Sequence, residues 1–442
     1  MTGNKEDLHV AIIGAGMGGL ACALALAKHG ITRIDVYETA SNLGFVGAGI
    51  QLAPNMARIL ERLGCWEVIA KEATDIRDAS IRRHNDNTEL AHVDFSYIRK
   101  EYGVPHMVGH RSSLANAMFD ACRKETAITF HFNSSCGGIR SWLPKPIFTV
   151  VPREGESYDV SVDVVLAADG IKSVVRPRML KELNIEAEVI DSGQSAYRIM
   201  LTREQMASDP EMLELLNSDQ VTRWIGERRH IIAYPISNKS IYNISTAQPD
   251  VHFAAAPSAT YTTRGSKTDM LDNFKDFCPL VLRMLNLVPE GEVCEWKLRV
   301  HNPLPAWVRG SVALVGDACH PTLPHLNQGA AQAIEDAGVL AVVLSKLSDR
   351  SPDSINKALR VYEHVRKERA ETLVELAAAS GRALHLGEGT AREERDKQFA
   401  ALKEKGGPSP DKAVDAEVQK VILGTDVMQV AGDNFQNVFQ NL

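Results

Sequence analysis

The stretch HVAIIGAGMGGLACALALAKHG, residues 9–30, constrains this chain more than any other. Its eighteen residues from 10 to 27 carry no charge and have to be kept from water. A membrane helix needs about 20 apolar residues, and four glycines at positions 14, 16, 18 and 19 would make a poor one. A buried strand running into a helix fits better. Val10-Ala11-Ile12-Ile13 reads as a parallel strand, 20–28 as an alanine- and leucine-rich helix, and Gly14-x-Gly16-x-x-Gly19 as the turn between them.

Glycine serves three purposes in such a turn. Gly14 allows the tight bend, Gly16 lets the backbone approach a pyrophosphate, and Gly19 lets helix pack closely on strand. The free N–H groups of the helix N-terminus then face the anion. A second strand, Arg33-Ile34-Asp35-Val36-Tyr37-Glu38, ends in an acid about 20 residues further on, where a ribose 2′-hydroxyl is held. The pattern predicts a dinucleotide site and leaves NAD and FAD both open.

The remainder of the 442 residues excludes several classes of partner. A net charge of −7 supplies no electrostatic footprint for nucleic acid or an anionic membrane. The seven cysteines are scattered, with no C-x-x-C pair and no cluster at zinc spacing, so they read as reduced thiols of an intracellular, cytoplasmic protein without a metal site. Lys5, Glu6 and Asp7 do not form the basic start of a secretory signal.

Along the chain, 44–50 is a glycine-rich loop, 76–96 alternates like antiparallel strands, and 147–151 with 160–167 reads as a hairpin. From 193 to 302 sheet strands such as 231–236 and 241–245 alternate with helical stretches at 209–216 and 269–286, and 260–267 reads as a surface loop. Val312-Ala313-Leu314-Val315 is again a buried parallel-type strand, and 328–382 is helical.

Two further segments carry chemistry. Ala167-Ala168-Asp169-Gly170-Ile171-Lys172-Ser173 follows an apolar strand. The run from Gly316-Asp317-Ala318-Cys319-His320-Pro321 to Asn327-Gln328-Gly329-Ala330 puts a carboxylate after a strand and a Gln-Gly at a helix start. Asp317 can bond a ribityl hydroxyl, and the N–H groups of Gly329 and Ala330 can stabilise negative charge on a reduced flavin ring. Arg198 is suited to pair with a carboxylate or phenolate, and otherwise reads as a surface strand arginine. Tyr234 reads as a substrate contact or as packing, and His230 and His325 as bases or as structural residues. Cys319 reads as small and buried rather than as a nucleophile.

Together with His110-Arg111, the GAGIQLAPN loop, SAYR at 195–198 and YPI at 234–236, these segments resemble the class A flavoprotein monooxygenases, nearest to their salicylate hydroxylase-like branch and to the fungal-type FAD-dependent enzymes. That resemblance implies that Gly14, Gly16 and Gly19 take the FAD pyrophosphate, Glu38 the adenosine ribose, and Asp317 the ribityl chain. It implies that Ala48, Gly49, Gly329 and Ala330 lie beside the flavin, that Arg111 and Asp169 reach the cofactor, and that Pro324 borders the oxygen-reacting face. Asn327 stands where the wider class has Gly or Ala.

The fold implied is α/β, a Rossmann-like FAD-binding domain (1–75, 101–185 and 300–345) interleaved with a mixed β-sheet substrate domain (76–100 and 186–299), followed by a helical C-terminal region (346–442). The activity implied is NAD(P)H- and O2-dependent hydroxylation of a phenolic or salicylate-type aromatic through a flavin C4a-hydroperoxide. No second strand–turn–helix fingerprint is present, so NAD(P)H is expected as a transient reductant with no domain of its own. Alternatives are a tailoring hydroxylase acting on an aromatic polyketide or alkaloid in secondary metabolism, an NAD(P)-dependent dehydrogenase, and a non-catalytic flavin-binding protein.

Overall fold

The computed structural model describes residues 8–44, 48–186, 189–251 and 262–442. Part of the glycine-rich loop at 44–50, the acidic start of the chain and the beginning of the 260–267 loop fall outside them.

The opening stretch forms the strand His9–Ile13 and the helix Met17–Lys28. The strand lies between Arg33–Tyr37 and Val164–Ala167 in a six-stranded sheet that continues through Val312–Leu314 and is parallel except for the antiparallel edge strand Val308–Arg309. Val10, Ala11 and Ile12 are fully buried, as a central strand with both faces covered must be. Gly14 adopts φ +96°, and a Cβ there would lie 2.6 Å from the Ala168 carbonyl oxygen. At Gly19 a Cβ would lie 1.9 Å from the Gly14 oxygen, so only glycine lets the helix start this close to the strand.

An eight-stranded sheet runs in the order Thr262–Arg264, Cys294–His301, Val189–Thr202, Ile241–Pro249, Arg229–Ile236, Gln220–Gly226, Asp78–Arg83, Glu89–Asp94. All its pairings are antiparallel except that of Gln220–Gly226 with Asp78–Arg83. Side chains alternate between its faces. Tyr197, Ile199, Ile231, Ala233, Tyr242 and Ile244 point into an apolar core with the helices Pro210–Asn217 and Pro279–Asn286. Register places Arg198 opposite Ser245, Ser245 opposite Ile232, and Ile232 opposite Arg223, so these residues share the other, more polar face.

Three local readings are corrected. The hairpin pairs Ile147–Pro152 with Tyr158–Ser161 only, and the chain then breaks at Val162-Asp163 so that Val164–Ala167 can join the parallel sheet instead. Asp163 makes the break by accepting from the His9 backbone N–H at 2.9 Å and from Lys145 Nζ at 2.6 Å. The 260–267 segment is no plain loop, since Thr262–Arg264 pairs with Cys294–His301 as an edge strand and a helix begins at Lys267. The helical stretches divide as well, into Lys267–Asn273 and Pro279–Asn286, and into Gly329–Ser345 and Pro352–Leu384.

The two later helices meet around one buried cation. Arg366, fully buried, donates from Nε to Asp336 Oδ1 at 2.8 Å and from Nη1 to Glu335 Oε2 at 2.6 Å. Glu335 also accepts from Asn55 Nδ2 at 2.7 Å and from Arg369 Nε at 2.8 Å, and Asp336 from the Gly316 N–H at 2.9 Å. Removing one partner of such a cluster leaves buried charge uncompensated. Arg366→Ala is therefore expected to lower folding stability by about 3–5 kcal/mol, measured as a fall in the urea midpoint, whereas exposed Arg382→Ala should leave it unchanged within error.

Candidate active site

A cavity of about 640 Å³ lies between the carboxyl ends of the parallel strands and the polar face of the eight-stranded sheet. Its first wall is the turn entering the helix Met17–Lys28. Gly16 caps that helix without any side-chain bond to its N–H groups, and a Cβ on Gly16 would meet nothing within 4 Å. Gly16, Met17 and Gly18 line the cavity, while Gly14 and Gly19 shape the turn from behind. Glu38 accepts from the Ala15 N–H through Oε2 and from the Ala40 N–H through Oε1, both at 2.8 Å, which ties the end of the second strand to the glycine turn.

Asp169 and Gly170 form the adjoining wall. Asp169 Oδ2 accepts from the Val174 and Val175 N–H groups at 2.8 and 3.3 Å, so this carboxylate starts the helix Val175–Glu182. Its Oδ1 is buried with no partner, and burial raises the carboxyl pKa.

In the middle of the cavity, Asp317 projects from the short 3-10 turn Gly316–Ala318. Its side chain is open to the cavity but enclosed by protein, and that enclosure raises its pKa against the opposing pull of His320, Arg111 and Arg176. Arg111 lines the cavity from the start of the helix Arg111–Cys122, with burial lowering its pKa and Asp317 raising it. The backbone N–H of Arg111 donates to the Ala48 carbonyl at 2.8 Å, so Ala48 positions Arg111 and is not itself a wall residue. Gly49 is on the wall, and its N–H donates to Asn243 Oδ1 at 2.7 Å. Opposite, Gly329 and Ala330 open the helix Gly329–Ser345, again with no side-chain cap. Asn327 precedes them at φ +58°, a left-handed turn that Asn tolerates better than most side chains.

The far end is aromatic and cationic. Arg198 lies 4.4 Å over the Trp296 ring, and burial, with Arg111 adding to it, lowers its pKa to about 10. It is a wall residue of the cavity and has no carboxylate partner among the described residues. Tyr234 lines the same end, its phenol pKa pushed up by burial. His230 and Arg223 complete it.

Several of these contacts are absent from the motifs. Arg223 is ion-paired with Asp411 of the C-terminal region, both buried. His230, His325 and His385 pack ring against ring with centroids 5.0–5.4 Å apart. Trp296 could have been suspected as the aromatic residue on the strand beside SAYR, but nothing local marks Asp411 or His385. Cys319 is buried and burial raises its thiol pKa well above the ordinary value, as expected of a packing residue. Cys319, His320 and Asp336 converge, and His320 Nε2 lies 2.6 Å from Asp336 Oδ2, which Arg366 already neutralises. All seven cysteines are free, and no helix among the described residues is long and apolar enough to cross a membrane.

Burial lowers the pKa of all three clustered histidines, to about 4 for His385 and about 3 for His325. In the unfolded chain they titrate near about 6.5, so below that pH the unfolded state binds more protons. Their contribution to stability is complete above about pH 6.5 and declines as pH falls through the window down to the folded-state values. The urea midpoint should fall between pH 7 and pH 5, and less steeply in His325→Gln.

The family described as FAD binding domain matches residues 7–377. The FAD-dependent monooxygenase atnJ of Arthrinium sp is 31% identical over 89% of this chain and 89% of its own length. The 3-hydroxybenzoate 6-hydroxylase 1 of Aquipseudomonas alcaligenes is 31% identical over 81% of this chain and 84% of its own. Among solved structures, a salicylate hydroxylase substrate complex superposes with a TM-score of 0.78 at 23% identity, covering 97% of this chain and 98% of that one. The fold is thus that of the flavin hydroxylases, and the chain belongs to the FAD-binding-domain family as an FAD-dependent aromatic monooxygenase.

Proposed function

We propose that this protein hydroxylates a phenolic or salicylate-type aromatic, using NAD(P)H as a transient reductant and O2, inside the cell. The observation that carries this reading is the polarity of the cavity. One end offers a glycine turn and uncapped helix N–H groups to an anion, and the other offers Arg198 on Trp296 beside Tyr234 and His230. The working division of labour is the one expected from the motifs, with a nucleotide-binding unit at 1–75, 101–185 and 300–345, a substrate unit at 76–100 and 186–299, and a helical region at 346–442.

The residues present fit FAD. The space beside Gly16 that a Cβ would fill is the cradle a pyrophosphate needs, and Asp169 Oδ1 is a buried acceptor still lacking a donor. Asp317 is placed for ribityl hydroxyls, and the free N–H groups at Gly329 and Ala330 suit an electron-rich ring. Gly14 and Gly19 shape the turn, Glu38 serves the ribose, and Arg111, placed by Ala48 beside Gly49, reaches the cofactor. Bound FAD supplies the redox chemistry and the oxygen transfer.

The chain's own residues bind, orient and deprotonate the substrate. Arg198 pairs with its phenolate or carboxylate, and the enclosed site strengthens that pair. His230, neutral because burial lowers its pKa, accepts the phenolic proton and so raises the electron density of the ring. Tyr234 hydrogen-bonds the ring substituent. A second reading, a tailoring hydroxylase acting on an aromatic polyketide or alkaloid, is supported by the similarity to a fungal FAD-dependent monooxygenase.

Two variants test the two ends separately. Gly16→Val places its side chain in open space, so the fold should persist with an unchanged circular dichroism spectrum while the purified protein loses its yellow colour. Arg198→Ala should stay yellow but lose phenol-stimulated NAD(P)H oxidation by about 10- to 100-fold, assayed over a panel of salicylates, resorcylates and larger polyketide-type phenols with product masses recorded. An oxidation rate that no phenol stimulates would sink the hydroxylase reading, and unchanged coupling in Arg198→Ala would remove that residue from the site.

A further inference from the structure

We propose that His385, supplied by the C-terminal helical region, is a positioning residue for the aromatic end of the cavity: it holds His230 with its proton on Nδ1, leaving Nε2 bare toward the substrate. The proposal rests on His230 as the base of the preceding section and adds what makes it one.

The geometry is that of a supported imidazole. His230, on the strand Arg229–Ile236, has its Nδ1 2.7 Å from His385 Nε2. His385 closes the helix Pro352–Leu384, where its N–H donates to the Gly381 carbonyl at 3.1 Å, and its own carbonyl accepts from the Arg228 N–H at 3.0 Å. The backbone beside His230 is therefore fastened to the residue that holds its ring. His325 packs edge-on against both rings, and Gly381 makes room for it, since a Cβ there would lie 2.5 Å from His325 Cδ2. His325 is held in turn by Gln194, whose Oε1 is 3.2 Å from His325 Nε2. Neither His230 nor His385 can swing without moving a packed neighbour.

One proton lies between His230 Nδ1 and His385 Nε2, and a neutral pair allows two arrangements. Either His230 donates and shows a bare Nε2 to the cavity, or His385 donates and His230 shows an N–H. The surrounding charges select the first. Arg223 bears on both His230 and His385 and Arg395 on His385, and these two are balanced by Asp411 and Asp396, whereas Arg198, elsewhere on the wall of the same cavity, has no carboxylate partner among the described residues. A net positive wall favours a lone pair over an N–H on the nitrogen that faces it. The same cations oppose a second proton on the pair, which keeps it neutral and ready as an acceptor. On reaction the phenolic O–H bond breaks, an Nε2–H bond forms on His230, and the Nδ1–H bond to His385 bears the resulting positive charge.

The decisive measurement is the tautomer, read by long-range 1H–15N correlation in 15N-histidine-labelled, FAD-loaded enzyme without substrate, with His230→Asn assigning the signal. The expected result is His230 protonated at Nδ1 in the wild type, converted to the Nε2–H form in His385→Leu, and restored in His385→Gln, whose amide oxygen can accept in place of Nε2. In kinetics with the panel phenol giving the greatest stimulation, His385→Leu should lower kcat/KM about tenfold or more and shift the acidic limb of its pH profile, while His385→Gln stays within about twofold. An Nε2–H His230 in the wild type, or an Nδ1–H signal that persists in His385→Leu, overturns the proposal. If His385→Leu does not fold, the wild-type tautomer still decides. Unchanged phenol stimulation in His230→Asn would instead refute the base reading and leave the tautomer result to judge His385 by itself.

Discussion

Arg366 is the point on which the rest of the structure hangs. A fully buried guanidinium is tolerable only when its donors and charge are matched, and here Glu335 and Asp336 do both from adjacent positions on one helix. Through Asp336 the cluster reaches the Gly316 N–H and His320, and so fixes the turn that presents Asp317. Through Glu335 it reaches Asn55 and Arg369, and Arg369 in turn donates to carbonyls at Val421 and Ile422. The helix whose N-terminus faces the cavity is thereby held from behind. A free N–H terminus can be aimed at a ligand only if its own helix cannot slide.

The cavity is a graded electrostatic environment built with few groups. Unsatisfied N–H groups and Arg111 favour negative charge near the glycine turns, Asp317 interrupts that field at the centre, and Arg198 restores it at the aromatic end. Enclosure strengthens every one of these interactions, because the dielectric that would screen them is excluded. Burial also keeps His230 neutral, with Arg223 opposing its protonation, an arrangement that water would otherwise level.

The nucleotide end was legible in the sequence, and the aromatic end only partly so. Gly14, Gly16 and Gly19 announce themselves because each answers a local demand of backbone geometry, and the structure shows each demand separately. Arg198 and Tyr234 were legible as residue types within short motifs, and sheet register brings both to one cavity. What could not be read were pairings across long separations: Arg223 with Asp411 is 188 residues apart and His230 with His385 is 155. Such partners leave no spacing to detect. The hairpin reading failed for a related reason, since the apolar run at 160–167 is equally suited to a hairpin and to a parallel sheet, and Asp163 decides between them by bonding to His9, 154 residues earlier. Asn327, a departure from the family pattern, became intelligible only with its backbone angle.

The Arg223–Asp411 pair also bears on the order of events as the chain is made. Arg223 lies in the middle of the chain and Asp411 nearly two hundred residues later. Folding during synthesis begins from the N-terminal side, so the eight-stranded sheet can assemble while its cavity-facing arginine still lacks the carboxylate that neutralises it. Until the later segment arrives, that arginine has to keep its charge in water, and the sheet cannot close over it. The aromatic end of the cavity is therefore complete only once Asp411, which also accepts from Ser380 at 2.9 Å, has neutralised Arg223 and both charges are buried.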